Sequence, residues 1–177
     1  MTSWTAPLID PDRDRAYDEA MTDERTLLDA LLDYHRKTLL WKCSGLTAQQ
    51  LASATVEPSR LTLLGLVRHL AEVERGWFCR EAAGETVDWL YYRPDSPDAD
   101  FDDVAEADPE ADLATFRAEC ERSRQAVADL PLEHIFTDRR GRRHSLRWVY
   151  LHMIEEYARH NGHADLIRER IDGATGE

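Results

Sequence analysis

The stretch of residues 145–172 reads SLRWVYLHMIEEYARHNGHADLIRERID. Its length and the spacing of its apolar residues predict one long amphipathic helix. Ser145 is a typical helix N-cap, and Gly173 is a typical residue just beyond a helix C-terminus. The segment is therefore predicted to be the last and longest helix, of about seven turns.

One face of this helix carries polar residues where leucine is expected. With about 100° of rotation per residue, His152 and His160 lie about 40° to either side of Glu156, and His163 lies about 20° away. Burying these groups without partners would cost several kcal/mol, so something must satisfy them. The face therefore predicts a ligand-binding site inside the domain.

Three further helices precede it, at about residues 22–44, 62–83 and 109–130. Residues 95–112 hold nine acidic residues and no basic one, and we interpret them as an exposed, partly mobile connection. No β-periodicity persists. The sequence predicts an all-α fold, an antiparallel four-helix bundle with a long acidic crossover connection. We expect an N-terminal extension at 1–21, the bundle domain at 22–173 and a C-terminal tail at 174–177.

The composition of the chain excludes some classes of binding partner. The 177 residues carry a net charge of −13, which argues against nucleic acid and anionic membranes as partners and leaves a small molecule. Cys43, Cys79 and Cys120 form no CxxC motif, which suits a reducing cytosol and indicates core thiols. The sequence shows no secretory signal and no apolar run long enough to span a membrane, so we expect a cytoplasmic protein.

The second helix carries a histidine that could face the polar face of the last one. His69 lies on the apolar stripe that also holds Leu66 and Val73. Imidazole and carboxylate ligands suit zinc, nickel or iron(II), and three protein ligands leave a position open for water or substrate. The alternative is that these histidines are hydrogen-bonded core residues that bind no metal.

Two segments resemble a known family. LVRHLAEVERGWF (residues 66–78) and HMIEEYARHNGHADLIRE (residues 152–169) are similar to the DinB/YfiT-like superfamily of metal-binding four-helix bundles. The closest resemblance is to the actinobacterial branch that includes mycothiol-dependent S-transferases, and it extends over about residues 22–173.

The resemblance implies a ligand set. The family's metal ligands fall on His69, Glu156 and His160, with Glu156 standing where many members have histidine. His163 falls where many members have glutamine, and is a fourth candidate: a ligand, a base beside the metal, or a proton carrier. Zinc is the favoured ion, with nickel or iron as alternatives.

A basic cluster surrounds the start of the last helix: Arg139, Arg140, Arg142, Arg143 and Arg147. Because helix N-termini favour anions, Arg143 and Arg147 are candidates for binding an anionic substrate. The alternative is a solvated turn that pairs with the acidic connection. Tryptophans that could line a pocket, or simply belong to the core, are Trp77, Trp89 and Trp148.

The resemblance implies a metal-dependent thiol S-transferase. Mycothiol or a similar low-molecular-weight thiol would be the cosubstrate, and an electrophilic small molecule would be the acceptor. If water takes the place of the thiol, the same site would serve a hydrolase. A non-catalytic stress protein that binds metal or small ligands is the other alternative. The resemblance, together with surplus aromatic residues near helix ends, also predicts a homodimer.

Overall fold

The computed structural model describes residues 4–176, so residues 1–3 of the predicted N-terminal extension and residue 177 of the tail lie outside the described residues. The described chain is mostly helical. Its long helices are α2 (Glu24–Cys43), α4 (Leu63–Glu74), α6 (Pro109–Ala126) and α7 (Leu146–Asp172). Its short helices are α1 (Pro11–Asp14), α3 (Ala48–Leu51), α5 (Ala99–Asp102) and a 3₁₀ turn, Val104–Glu106. Within residues 4–176, no helix has the length and apolar character needed to cross a membrane.

The helix ends follow the capping pattern of the sequence. The Asp108 carboxylate accepts hydrogen bonds from two backbone N–H groups of the first turn of α6, and Pro109 occupies the first helical position. Ser145 accepts a hydrogen bond from the Trp148 backbone N–H at the start of α7. Gly173 ends α7 with a φ of 77°, a conformation that favours glycine. These predicted boundaries are confirmed.

Helix α2 packs on α7, and α4 packs on α6 and α7. The interior is mainly apolar, with leucine its commonest residue, but it includes a buried ion pair: Arg36 of α2 binds Glu74 of α4 through two hydrogen bonds of 2.7 Å. The hydroxyl of Tyr157 on α7 donates a third hydrogen bond to Glu74, at 2.8 Å. This network ties three long helices together.

The predicted helix at 62–83 spans two kinds of helix. After Glu74 the chain continues as a π-helix, Arg75–Ala82. Because a π-turn contains more residues than an α-turn, the 3.6-residue period does not continue beyond Glu74. No periodicity in the sequence indicated this change.

The all-α prediction needs one correction. Strands β1 (Ile135–Thr137) and β2 (Arg143–Ser145) form an antiparallel hairpin before α7. Its turn runs from Asp138 to Arg142 and has Gly141 at a φ of 78°. Strands of three residues are too short to show a period-two pattern, so the sequence did not predict this hairpin.

The acidic connection is also less exposed than predicted. Helix α5 packs against α4, and Ala99 and Asp100 are buried. Arg68 of α4, itself buried, donates hydrogen bonds to the carbonyl oxygens of Asp100 and Ala99 and to the carboxylate of Asp112, each at 3.0 Å. A buried guanidinium must be paired, and this connection supplies its partners. The prediction of an exposed, partly mobile connection was therefore wrong for α5.

Candidate metal centre and adjoining cavity

Three predicted ligands converge between α4 and α7. His69, Glu156 and His160 each offer one ligand atom, and these atoms all lie within 4.8 Å of one another. His160 Nε2 lies 3.4 Å from Glu156 Oε2, and the rings of His69 and His160 have centroids 4.9 Å apart. Any two ligand atoms of a tetrahedral zinc site lie about 3.3 Å apart, so the distance between His160 Nε2 and Glu156 Oε2 already suits an ion. The three side chains could hold a metal ion.

Two local features position these side chains. Glu156 and His160 are four residues apart on α7, so they project from successive turns of one helix face. Tyr157, which follows Glu156, donates its hydrogen bond to Glu74 of α4. That contact fixes α7 against the helix that carries His69, and so brings the third ligand opposite the other two.

Asp100 is the site residue that sequence reasoning missed. Its Oδ2 lies 2.8 Å from His69 Nδ1, so Nδ1–H donates to the carboxylate and Nε2 is left for a metal. The ring of His69 also stacks on Phe101, with centroids 4.9 Å apart. The one available signal in the sequence was Phe101, an aromatic residue in an otherwise acidic stretch.

His163 and His152 flank the three converging side chains without joining them. His163 Nδ1 lies 3.4 Å from His160 Nδ1. On the other side, His152 Nε2 lies 3.8 Å from Glu156 Oε1, and the His152 ring stacks on Trp148 with centroids 4.8 Å apart. Each histidine therefore contacts one candidate ligand, and the role of His163 as base or proton carrier stays a prediction.

The electrostatics favour neutral imidazoles. Burial, followed by the charges of His69 and His163, lowers the pKa of His160 to about 4. Burial likewise lowers the pKa of His152. A histidine binds metal through the lone pair of its neutral form, so His160 is in the form required for binding at neutral pH.

A cavity of about 510 Å³ adjoins His69. Aromatic side chains form much of its wall: Trp77, Trp89, Tyr92 and Phe101. The β1–β2 turn contributes the charged part of the wall with Asp138, Arg139, Arg140 and Arg142. A small molecule in this cavity would lie next to one of the candidate ligands.

The predicted anion-binding pair does not reach this cavity. Arg147 binds Glu24 at 2.7 Å and Glu133 at 2.6 Å, while Arg143 is exposed on β2. Trp148, one of the three tryptophans considered as pocket residues, is also absent from the lining. The arginines that do line the cavity belong to the hairpin turn, a structure the sequence did not reveal.

No cysteine among residues 4–176 is activated. Cys43, Cys79 and Cys120 are buried and free of disulfide bonds. Burial raises the pKa of Cys43 to about 12 and that of Cys79 to about 11, and it raises the pKa of Cys120 well above its usual range. The prediction of core thiols is confirmed, and a nucleophilic thiol would have to come from a second substrate.

Comparison with known proteins assigns the family. The Mycothiol-S-transferase family model matches residues 27–173, most of the chain and all of its long helical segments apart from the first turn of α2. No curated protein and no solved structure was found to match. The match agrees with the resemblance seen in the segments around His69 and Glu156, and the chain belongs to the mycothiol S-transferase family.

Proposed function

We propose that the protein is a divalent-metal-dependent S-transferase that adds mycothiol, or a similar low-molecular-weight thiol, to an electrophilic small molecule. The observation that carries the proposal is the convergence of His69, Glu156 and His160 beside a cavity, in a chain of this family. Zinc is the proposed ion, with nickel or iron(II) as alternatives, because two imidazoles and a carboxylate suit all three.

Each residue has a distinct part in this scheme. When bound, a divalent cation lowers the pKa of a thiol that coordinates it. Asp100 holds His69 in the tautomer that presents Nε2, and burial keeps His160 neutral. His163, which contacts His160, is the proposed acceptor of the thiol proton. The cavity beside His69 holds the electrophile within reach of the thiolate, which forms the new C–S bond as the leaving group departs.

We also propose that the four long helices form an antiparallel four-helix bundle of the DinB/YfiT type. The pairing of α2 with α7 and of α4 with α6 supports it. So does the Arg36–Glu74–Tyr157 network, which joins three helices in the interior. In this arrangement the acidic connection is the crossover between α4 with its π-helical extension and α6.

The test measures metal content and turnover together. We expect about one metal ion per purified chain, and transfer of mycothiol to 1-chloro-2,4-dinitrobenzene that a chelator abolishes and added zinc restores. His160→Ala should lose metal and turnover while keeping its helical content, because the core is large enough to fold without the ion. His134→Ala is the matched control, since His134 bonds the Ala82 carbonyl outside the site.

Three results would contradict the proposal. Stoichiometric metal in the His160→Ala variant would show that the ligands were misassigned. Turnover that resists the chelator would remove the metal from the reaction. Bound metal with no thiol-dependent turnover would favour a hydrolase or a non-catalytic binding protein instead.

The proposed partner is a small molecule in the cytoplasm, with no nucleic acid or membrane bound. We also propose a homodimer, which the exposed apolar side chains of Trp148, Leu151 and Leu166 on α7 support. Light scattering at high micromolar concentration should give twice the 20.4 kDa mass of one chain. A single-chain mass would contradict the dimer.

A further inference from the structure

The β1–β2 turn brings positive charge to the cavity in a chain whose net charge is −13. Arg139, Arg140 and Arg142 all line the cavity wall. In a protein this acidic, a local group of guanidiniums beside a cavity points to a bound anion only if one of them lacks an internal partner.

Arg140 is that guanidinium. Arg142 binds the Asp138 carboxylate at 2.8 Å, and Arg139 lies 3.8 Å from Glu81. Among residues 4–176, no acceptor or carboxylate pairs with the Arg140 side chain. Its charge is available to a ligand.

The backbone beneath Arg140 is fixed. The Asp138 carboxylate accepts hydrogen bonds from the backbone N–H groups of Arg140 and Arg142, each at 2.9 Å, and from His144 Nε2 at 3.0 Å. Gly141 N–H closes the turn by donating to the Asp138 carbonyl at 2.9 Å. Burial alone would raise the pKa of Asp138, but these hydrogen bonds outweigh it and hold that pKa well below its usual range. Asp138 therefore stays ionised and holds the turn over the cavity.

The acidic groups of the cavity wall are mostly engaged elsewhere. Glu72 accepts backbone hydrogen bonds from Leu90 and Tyr91, and Asp100 is bonded to His69. Asp138 and Glu81 face the arginines of the turn. Asp98 remains, and it lines the cavity with its side chain exposed to solvent. Arg140 is thus free to bind an anion without competition from a paired carboxylate.

Much of the rest of the wall is aromatic. The Trp89 indole packs against Gly76 of the π-helix so closely that a methyl group on the Gly76 Cα would lie 3.3 Å from the ring. Trp77 and Phe101 complete this surface on the His69 side. Aromatic walls with a few placed polar groups are typical of sites for planar ligands.

We propose that the electrophile is an aromatic compound that carries an anionic group, such as a carboxylate. Its ring lies against Trp77 and Trp89, and its carboxylate binds Arg140, which makes Arg140 a specificity-determining residue. This inference rests on the proposed function and names its substrate class. With a chloroarene, the thiolate attacks the ring carbon that bears chlorine, the C–S bond forms, and chloride leaves with the electron pair of the C–Cl bond.

A binding experiment measures the contribution of the Arg140 charge separately from that of the aromatic wall. The metal-loaded protein is titrated, without thiol, with the unreactive pair 3,5-dinitrobenzoate and 1,3-dinitrobenzene, and binding is followed by calorimetry. Arg140→Gln should weaken dinitrobenzoate binding by about fivefold or more and leave dinitrobenzene within about twofold. Arg143→Gln, an exposed neutralisation on β2 outside the cavity, is the matched control and should change neither. Trp89→Leu should weaken the binding of both ligands.

Equal affinities of wild type and Arg140→Gln for dinitrobenzoate would overturn the inference, since its carboxylate would then be held by another group, the metal included. A turnover experiment with mycothiol separates this from the proposed function. Arg140→Gln should raise KM for 4-chloro-3,5-dinitrobenzoate and not for 1-chloro-2,4-dinitrobenzene. If Arg140→Gln turns over both chloroarenes with the KM values of the wild type, the inference is overturned and the proposed function stands. If dinitrobenzoate binding depends on Arg140 but neither chloroarene is turned over, the anion site is supported and the transferase activity is contradicted.

Discussion

His69 Nδ1 lies 2.8 Å from Asp100 Oδ2, although 31 positions separate the two residues in the sequence. Helix α5, within the acidic connection, supplies this carboxylate. A carboxylate behind a ligating histidine fixes the ring orientation and raises the basicity of the other nitrogen. The connection between α4 and α6 is therefore part of the candidate metal centre.

Replacing Asp100 with asparagine should weaken metal binding by about 10- to 100-fold, because His69 would lose the charged acceptor that orients it. The measurement is competition with a fluorescent chelator, with helicity followed by circular dichroism. Asp102→Asn is the control, since Asp102 lies on the same short helix and forms an exposed ion pair with Arg60. An affinity equal to wild type in Asp100→Asn would mean that His69 is not a ligand.

The sequence predicted the parts of the site that lie on regular helices. The spacing of Glu156 and His160 on α7 follows from helical geometry alone, and the Ser145 cap of that helix is a local hydrogen bond. His69 was predictable because a histidine interrupts an otherwise apolar stripe. Each of these inferences depends on residues close together in the chain.

The parts that were not predicted depend on contacts between distant segments. Asp100 belongs to a stretch whose composition is typical of an exposed loop, and only the buried Arg68 of α4 accounts for its packing. The π-helix after Glu74 leaves no mark on the periodicity. The turn that carries Arg140 belongs to a hairpin with strands too short to recognise, and the sequence made Arg143 and Arg147 the candidates for binding an anionic substrate.

The identity of the carboxylate ligand can be tested by two substitutions. Glu156→His should keep the metal and tighten binding of nickel relative to zinc, since it gives a site with three nitrogen ligands. Glu156→Ala should weaken binding by about tenfold or more, because one of three ligands is lost. Isothermal titration with each metal gives both values. If neither substitution changes affinity, His152 or His163 replaces Glu156 as a ligand.

The buried network behind the site should control stability. Tyr157→Phe should lower the free energy of unfolding by about 1–2 kcal/mol, because Glu74 loses one hydrogen bond and keeps those from Arg36. Glu74→Gln should cost about 3 kcal/mol or more, because the buried Arg36 loses its charged partner in the core. Urea unfolding of the metal-free protein measures both.

Tyr92→Phe is the matched control for the tyrosine substitution. Tyr92 is 44% exposed, so removing its hydroxyl should change stability by no more than about 0.5 kcal/mol. A loss as large as that of Tyr157→Phe would show that the effect is not specific to the bond with Glu74.

The buried cysteines should react slowly with an alkylating reagent and faster as the pH rises. Burial raises the pKa of Cys43 to about 12 and that of Cys79 to about 11, so each thiol holds its proton more firmly than a free cysteine does. An unperturbed cysteine is roughly one quarter thiolate at pH 8, whereas a thiol with a pKa near 11 is about 0.1% thiolate.

Iodoacetamide at pH 8 should therefore label the native protein slowly and the urea-unfolded protein at three sites. The labelling rate should rise about tenfold for each pH unit between 8 and 10, because thiolate is the reacting form. Mass spectrometry of the labelled chain follows both. Rapid labelling of one cysteine at pH 7 in the native protein would reveal an activated thiol in the chain, and the nucleophile would then no longer have to come from a second substrate.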